Sequence, residues 1–107
     1  MRISYAPEAR EDLRELKEFI AMEYQNPKSA TEITQKIMRT CSNLKRFPRM
    51  GMRLSEKIPV ETPLRFLICG KHFVFYRIDG TTIRITRILD GRSDYIRILF
   101  GDLNETE

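Results

Sequence analysis

From Arg65 onward the chain is a series of β-branched and aromatic runs separated by turn residues. Arg65–Cys69 opens the run, Phe73-Val74-Phe75-Tyr76-Arg77-Ile78 continues it, and Ile83-Arg84-Ile85-Thr86-Arg87-Ile88-Leu89 returns after Asp79-Gly80. Such β-rich runs predict strands, and Asp-Gly between two of them predicts a hairpin because both turn positions favour φ > 0. A two-residue loop at Asp79-Gly80 would set Ile78 opposite Thr81, Tyr76 opposite Ile83 and Val74 opposite Ile85. Those residues share one face and read as core. Phe73, Phe75, Arg77, Thr82, Arg84 and Thr86 share the other. Arginines beside aromatics on an open sheet face suit an anionic, stackable partner such as RNA, or else a solvated face covered by long side chains.

Before the sheet the period changes to that of a helix. Arg2 to Tyr5 predicts a first strand, and Pro7 suits the first position of a helix running to about Tyr24, although Ala6 is a poor cap. Its stripe is Ala9, Leu13, Leu16, Ile20 and Tyr24, widened by Phe19. Asn26-Pro27 breaks that helix and caps a second one, running to about Arg46 with the stripe Ala30, Ile33, Ile37, Cys41 and Leu44, and with Met38 and Phe47 alongside. So short a link makes an antiparallel helical hairpin, whose apolar faces must lie on the sheet. Pro48, Gly51, Pro59 and Pro63 make the next stretch a surface loop with an edge segment around Met52 to Ser55. A strand follows at Leu64–Cys69, and Asp94 to Leu99 predicts a short terminal helix before a frayed tail at Asn104 to Glu107. The fold class is therefore α+β in one domain: an N-terminal strand, an antiparallel helical hairpin packed on a small antiparallel sheet, and a short C-terminal helix.

Charge sharpens this picture. Lys+Arg is 19 against Asp+Glu 15, giving +4 and a pI near 9.3. The first helix holds Glu8, Glu11, Asp12, Glu15, Glu18 and Glu23, whereas Lys45 to Arg97 is strongly basic. That asymmetry points to a polyanion or an acidic protein partner. Cys41 and Cys69 read as small buried hydrophobes in a reducing cytosol, and their spacing fits no zinc motif. Lacking an apolar run of membrane-spanning length or a signal-peptide core, the chain is expected to be soluble and cytoplasmic, with no membrane partner.

Candidate chemistry is sparse. His72 is the only histidine and is expected to be exposed at a strand end. Serines lack a hydrolase motif, and the carboxylates of the first helix read as a solvated face. The glycines are isolated turn residues, and no metal or cofactor site is expected. What remains is a basic set with a tyrosine: Arg65, Arg77, Arg84, Arg87, Arg92 and Tyr95, with Lys45, Arg46 and Arg49. Arginine offers fixed forks for phosphate, and in-line attack by a 2′-hydroxyl needs charge stabilisation more than a covalent nucleophile. Each arginine could equally serve as an ion pair to a first-helix acid or as a cap on the sheet edge.

Taken in order, several local patterns resemble the RelE/ParE superfamily of bacterial type II toxins. They are Ala6-Pro7-Glu8-Ala9 with Asp12-Leu13, Asn26-Pro27, Leu44 through Phe47-Pro48 to Gly51, Arg65, Phe75-Tyr76-Arg77, and Arg87-Ile88-Leu89 leading to Gly91-Arg92-Ser93-Asp94-Tyr95. The resemblance implies a small cytoplasmic toxin held inactive by a cognate antitoxin that wraps the basic sheet and helix surface. Two activities share that fold: RelE-like members cut mRNA in the ribosomal A site, and ParE-like members poison DNA gyrase. By resemblance, Arg65 matches a strand arginine of the nucleases, Arg92 lies near their second, and Tyr95 falls where several carry a tyrosine. Arg65, Arg92 and Tyr95 would be the catalytic set of a nuclease. Many relatives have histidine where this chain has Asp90, and Ser55-Glu56-Lys57-Ile58-Pro59 departs from the nuclease pattern. The charged helical hairpin and the Arg-Ile-Leu-x-Gly-Arg ending look more like ParE. That side implies gyrase contact through Arg87, Arg92, Tyr95 and Ile98-Leu99-Phe100; a plug on the sheet core is the other role open to Phe100. A module that binds its partner without toxicity is a third reading. The full binding set implied is Arg65, Arg77, Arg84, Arg87, Arg92, Tyr95 and Phe100.

Overall fold

In the computed structural model, which describes residues 1–101, a five-stranded sheet is covered on one face by two helices and on the other by a loop and a short helix. The elements are β1 (Arg2–Tyr5), α1 (Pro7–Glu23), α2 (Pro27–Ser42), β2 (Met52–Arg53), β3 (Arg65–Cys69), β4 (His72–Asp79), β5 (Thr82–Asp90) and α3 (Tyr95–Phe100). The tail expected at Asn104 to Glu107 lies outside the described residues.

Local chemistry sets the helix ends. Pro7 starts α1 behind Ala6, which makes no side-chain cap. The Asn26 side chain accepts the Ser29 amide at 3.2 Å, and Pro27 follows it into α2. The second helix stops at Ser42, earlier than expected, and a 3₁₀ turn over Asn43–Lys45 tightens the exit so that Leu44 stays buried. Phe47 is thereby lifted off the core and is 56% exposed.

Strand order is β1-β5-β4-β3-β2, with β1 parallel to β5 and all other pairs antiparallel. The sheet is therefore mixed, not wholly antiparallel. Alternation sets the face a strand buries but carries no information on its direction. The β4–β5 register also differs from expectation: Asp79 pairs with Thr82, Ile78 with Ile83 and Tyr76 with Ile85, so the turn is Gly80-Thr81, with Gly80 at φ 62°. The shift is two residues, which returns the same side chains to the same face. A bulge between Phe75 and Tyr76 then places Arg87 opposite Phe75 and Ile88 opposite Val74, and the Thr86 hydroxyl donates to the Phe75 carbonyl at 3.0 Å.

Two apolar layers result. Under the helices, Ile37, Cys41, Val74, Tyr76, Ile83, Ile85 and Ile88 form the main core. On the far face, Phe66, Phe75 and Leu89 are covered by Leu54, Ile58, Val60 and Leu64 of the proline-rich loop and by α3. The face expected to be open is therefore largely closed. Phe75 is fully buried and Phe73 half-buried, so neither is available to stack on a base. Prolines deny residues 54–64 a central strand, yet apolar side chains at 54, 58, 60 and 64 still let it pack as a cover.

One tyrosine locks loop to sheet. The buried Tyr76 hydroxyl donates to the Pro48 carbonyl at 2.8 Å and accepts the Gly51 amide at 2.9 Å. A Cβ on Gly51 would lie 2.6 Å from that hydroxyl and 2.7 Å from the Phe66 carbonyl, so only glycine permits the approach.

Candidate functional site

Asp12 and Arg87 form the most buried charged contact. Beyond Tyr5 the chain turns into α1, so the outer edge of β5 has no strand partner past Ile85. Asp12, one turn into α1, fills that gap: its Oδ2 accepts the Ile88 amide at 2.9 Å and Arg87 Nε at 2.8 Å, while Oδ1 accepts Arg87 Nη2 at 2.8 Å. Asp12 is thus buried rather than part of a solvated helix face. Its carboxylate pushes the Arg87 guanidinium further up from its ordinary range and keeps it charged.

The other predicted residues are also committed to partners. Arg92 donates through Nε and Nη2 to the Asp90 carboxylate at 3.2 Å each, and its amide donates to Oδ1 at 2.8 Å. These bonds hold the Asp90 carboxyl down at about 2. Arg65 donates to the Gly51 carbonyl at 2.9 Å, and Arg77 pairs with Asp79 at 3.6 Å. Arg84 donates to the Ser4 hydroxyl at 2.6 Å. Tyr95 lies inward, its ring centroid 5.3 Å from Phe75 and 5.6 Å from Phe73. Phe100 packs on the same aromatic layer, which is the plug role.

Arg77, Arg84 and Arg87 are brought together on one concavity of about 540 Å³, with Ile98 and Leu99 on its rim. Arg65 and Arg92 are not. Arg65 pairs with Tyr76 and Asp90 with His72, four residues apart on β4, or about 13 Å along the strand. Arg65 also lies on the β2 side of the sheet and Arg92 beyond the end of β5. The three residues of the nuclease-type set thus face different surroundings.

A feature not read from the sequence is a groove of about 600 Å³ between the far ends of α1 and α2 and the β3–β4 turn. Phe19, Ile20, Tyr24, Ile33 and Ile88 give it apolar walls, and its charged lining carries both signs: Lys36, Lys71 and Arg92 with Asp12, Glu15 and Asp90. Phe19 is 58% exposed because its neighbour Ile20, at 4%, takes the inward position on α1, and Tyr24, just past the end of that helix, is 62% exposed. The available signal was stripe width: Phe19 directly precedes Ile20, about 100° away around the helix, so the two cannot both face the core. His72 is half-buried here rather than exposed, and burial lowers its pKa despite Asp90 opposite. Burial likewise pushes the Cys41 thiol up to about 11, which suits an inert core position.

Among the described residues no three His, Cys, Asp or Glu side chains are grouped to hold a metal ion. No helix in them is long and apolar enough to cross a membrane. The arrangement is that of a binding surface: committed arginines, a closed aromatic layer and an apolar groove edged by charges of both signs.

Comparison with known proteins agrees with this reading of the fold. Residues 3–95 match the model of the ParE toxin of type II toxin–antitoxin systems, parDE. The chain therefore belongs to the ParE toxin family, a toxin class within the RelE/ParE superfamily. No curated protein sequence matches significantly. The fold is similar to that of a solved chain described as a chromosomal ParDE toxin–antitoxin system from P. aeruginosa, with TM-score 0.69 and 22% identity, covering 84% of this chain and 95% of that one.

Proposed function

We propose that this ParE-family toxin arrests growth by binding DNA gyrase, and that a cognate antitoxin restrains it in the cytoplasm. The observation that carries the reading is the commitment of Arg65, Arg92 and Tyr95 to three separate local partners: the Gly51 carbonyl, Asp90 and the Phe73–Phe75 layer. A metal-independent nuclease needs such groups around one phosphate, and here each supports the fold where it stands. The contact we assign to gyrase is the outward side of α3 with the turn before it. There Arg92 and Arg97 are 82% and 71% exposed at the side chain and Ile98 is 43% exposed. Arg77, Arg84 and Arg87 line the adjoining concavity, and Tyr95 and Phe100 brace α3 from beneath.

For the antitoxin we propose the groove between the helix ends and the β3–β4 turn. An amphipathic segment with carboxylates would bury apolar side chains on Phe19, Tyr24 and Ile33 and meet Lys36 and Lys71 at the rim. The similar solved chain is described as part of a ParDE toxin–antitoxin system, which supports a protein partner of that kind.

Cleavage of ribosome-bound mRNA is the competing reading. Purified toxin in parallel supercoiling and translation assays separates the two. Inhibited supercoiling with unimpaired translation is expected; arrested translation with normal supercoiling would sink the gyrase reading.

A further inference from the structure

From Ile33 to Ser55 the chain contains no Asp or Glu but six cations: Lys36, Arg39, Lys45, Arg46, Arg49 and Arg53. All six are exposed. This is the reverse of the arginines considered above. Arg77, Arg87, Arg92 and Arg97 each face a carboxylate, whereas of these six only Arg53 does, with Glu56 at 3.8 Å, among the described residues. Five of the six cations thus face no carboxylate among the described residues, which concentrates positive charge along α2 and the loop to β2.

The same segment carries exposed apolar side chains. Phe47 is 56%, Met50 43% and Met52 58% exposed. The Arg46 guanidinium lies 5.4 Å from the Phe47 ring centroid, and Phe47, Pro48, Arg49 and Met50 line a shallow concavity of about 480 Å³. The backbone beneath is held fast. Besides the Tyr76 bonds to Pro48 and Gly51, the Phe47 amide donates to the Asn43 carbonyl at 3.0 Å and the Met50 amide to the Phe47 carbonyl at 3.0 Å. Anchored backbone with solvent-facing side chains is a preorganised platform rather than a floppy basic tail.

We propose that this segment is a binding surface for single-stranded nucleic acid, with a base stacked on the Phe47 face opposite Arg46 and phosphates on Lys45, Arg49 and Arg53. The chemistry repeats in the right order: a strand of nucleic acid alternates anionic phosphate with a flat ring, and the surface alternates cations with Phe47 and Met50. An acidic peptide would satisfy the charges, but its apolar anchors need a deep groove, and here the concavity is shallow and Phe47 more than half exposed. The proposal goes beyond the gyrase reading and does not depend on it.

Fluorescence anisotropy of the full chain with labelled oligo-dT of about 20 nucleotides, across about 50–200 mM salt and without gyrase, is the test. Oligo-dT should bind with a steep salt dependence. Lys45→Glu with Arg49→Glu should weaken it at least tenfold and make the log–log salt slope shallower, because two phosphate contacts are lost. Phe47→Ala should weaken it about fivefold or more with the slope unchanged. Lys17→Glu with Lys28→Glu makes the same change in net charge at exposed positions near the opposite end of the helical hairpin and should cost far less. Three results would each overturn the proposal: no binding, equal loss in the two charge-reversed pairs, or polyglutamate binding as tightly as oligo-dT with indifference to Phe47. The substituted side chains are solvent-facing, and unchanged thermal melts would keep each result interpretable.

Discussion

Arg87 and Asp12, 75 positions apart in the chain, join through two hydrogen bonds of 2.8 Å, and the same carboxylate accepts the Ile88 amide. Asp12 thus does for the edge of β5 what a sixth strand would do. An arginine and a carboxylate that could have been read as surface charge instead close the seam between α1 and the sheet.

Asp12→Ala should therefore destabilise the chain by ~2–4 kcal/mol, since it strands a buried amide and a half-buried guanidinium. Asp12→Asn should cost less, because an amide oxygen can still accept from Ile88. Arg87→Ala combined with Asp12→Ala should cost less than the sum of the two. Urea unfolding of the four chains gives that coupling directly.

At the other end of the sheet, Tyr76→Phe removes both bonds to the loop and should cost ~1–3 kcal/mol. Gly51→Ala forces a Cβ against the Tyr76 hydroxyl and the Phe66 carbonyl and should cost a similar amount or more. Thermal melts would show both. The loop 48–51 should also exchange its amides faster in Tyr76→Phe, which a core substitution remote from the loop would not reproduce.

His72 supplies the pH dependence near neutrality. Its folded pKa lies below 6.5, chiefly because burial disfavours the charged ring. The unfolded chain therefore takes up the proton first, so stability is full above about pH 6.5 and falls as pH drops below it. Asp90 adds a separate acid limb. Held at about 2 by Arg92, it contributes stability above its ordinary range that is lost as pH falls from about 4 towards 2, and at its exposure that contribution stays below about 1 kcal/mol. In urea titrations over pH, His72→Gln should flatten the step between pH 7 and 5, and Asp90→Asn only the one below pH 4.

The groove predicts a separation of stability from partner binding. Phe19→Asp and Ile33→Asp alter exposed side chains at its wall, so melting temperatures should move little. Binding of the cognate antitoxin, followed by calorimetry, should weaken by tenfold or more. Unchanged affinity would place the antitoxin elsewhere.

Much of the fold was legible because local chemistry and period agreed. Asn26-Pro27 marked the helix junction, Asp79-Gly80 the hairpin, and Asp94 the start of α3, whose side chain accepts the Arg97 amide. What was hidden depends on tertiary placement. The direction of β1 is not written in alternation, and the two-residue register shift leaves the apolar pattern unchanged. The cover over Phe73 and Phe75 comes from a loop whose prolines signal only that it is not a strand. The arginines stand out in the sequence, but charge alone could not tell which had a carboxylate opposite. Only placement separates Arg87, committed to Asp12, from Arg49, which faces solvent.

The most direct test of a toxin that works by contact is supercoiling by purified gyrase, titrated with the chain carrying both Arg65→Gln and Tyr95→Phe. Inhibition at the same concentration as the parent is predicted, because Arg65 lies away from α3 and the Tyr95 ring remains as its brace. Loss of inhibition in that variant, with its fold intact, would contradict the account.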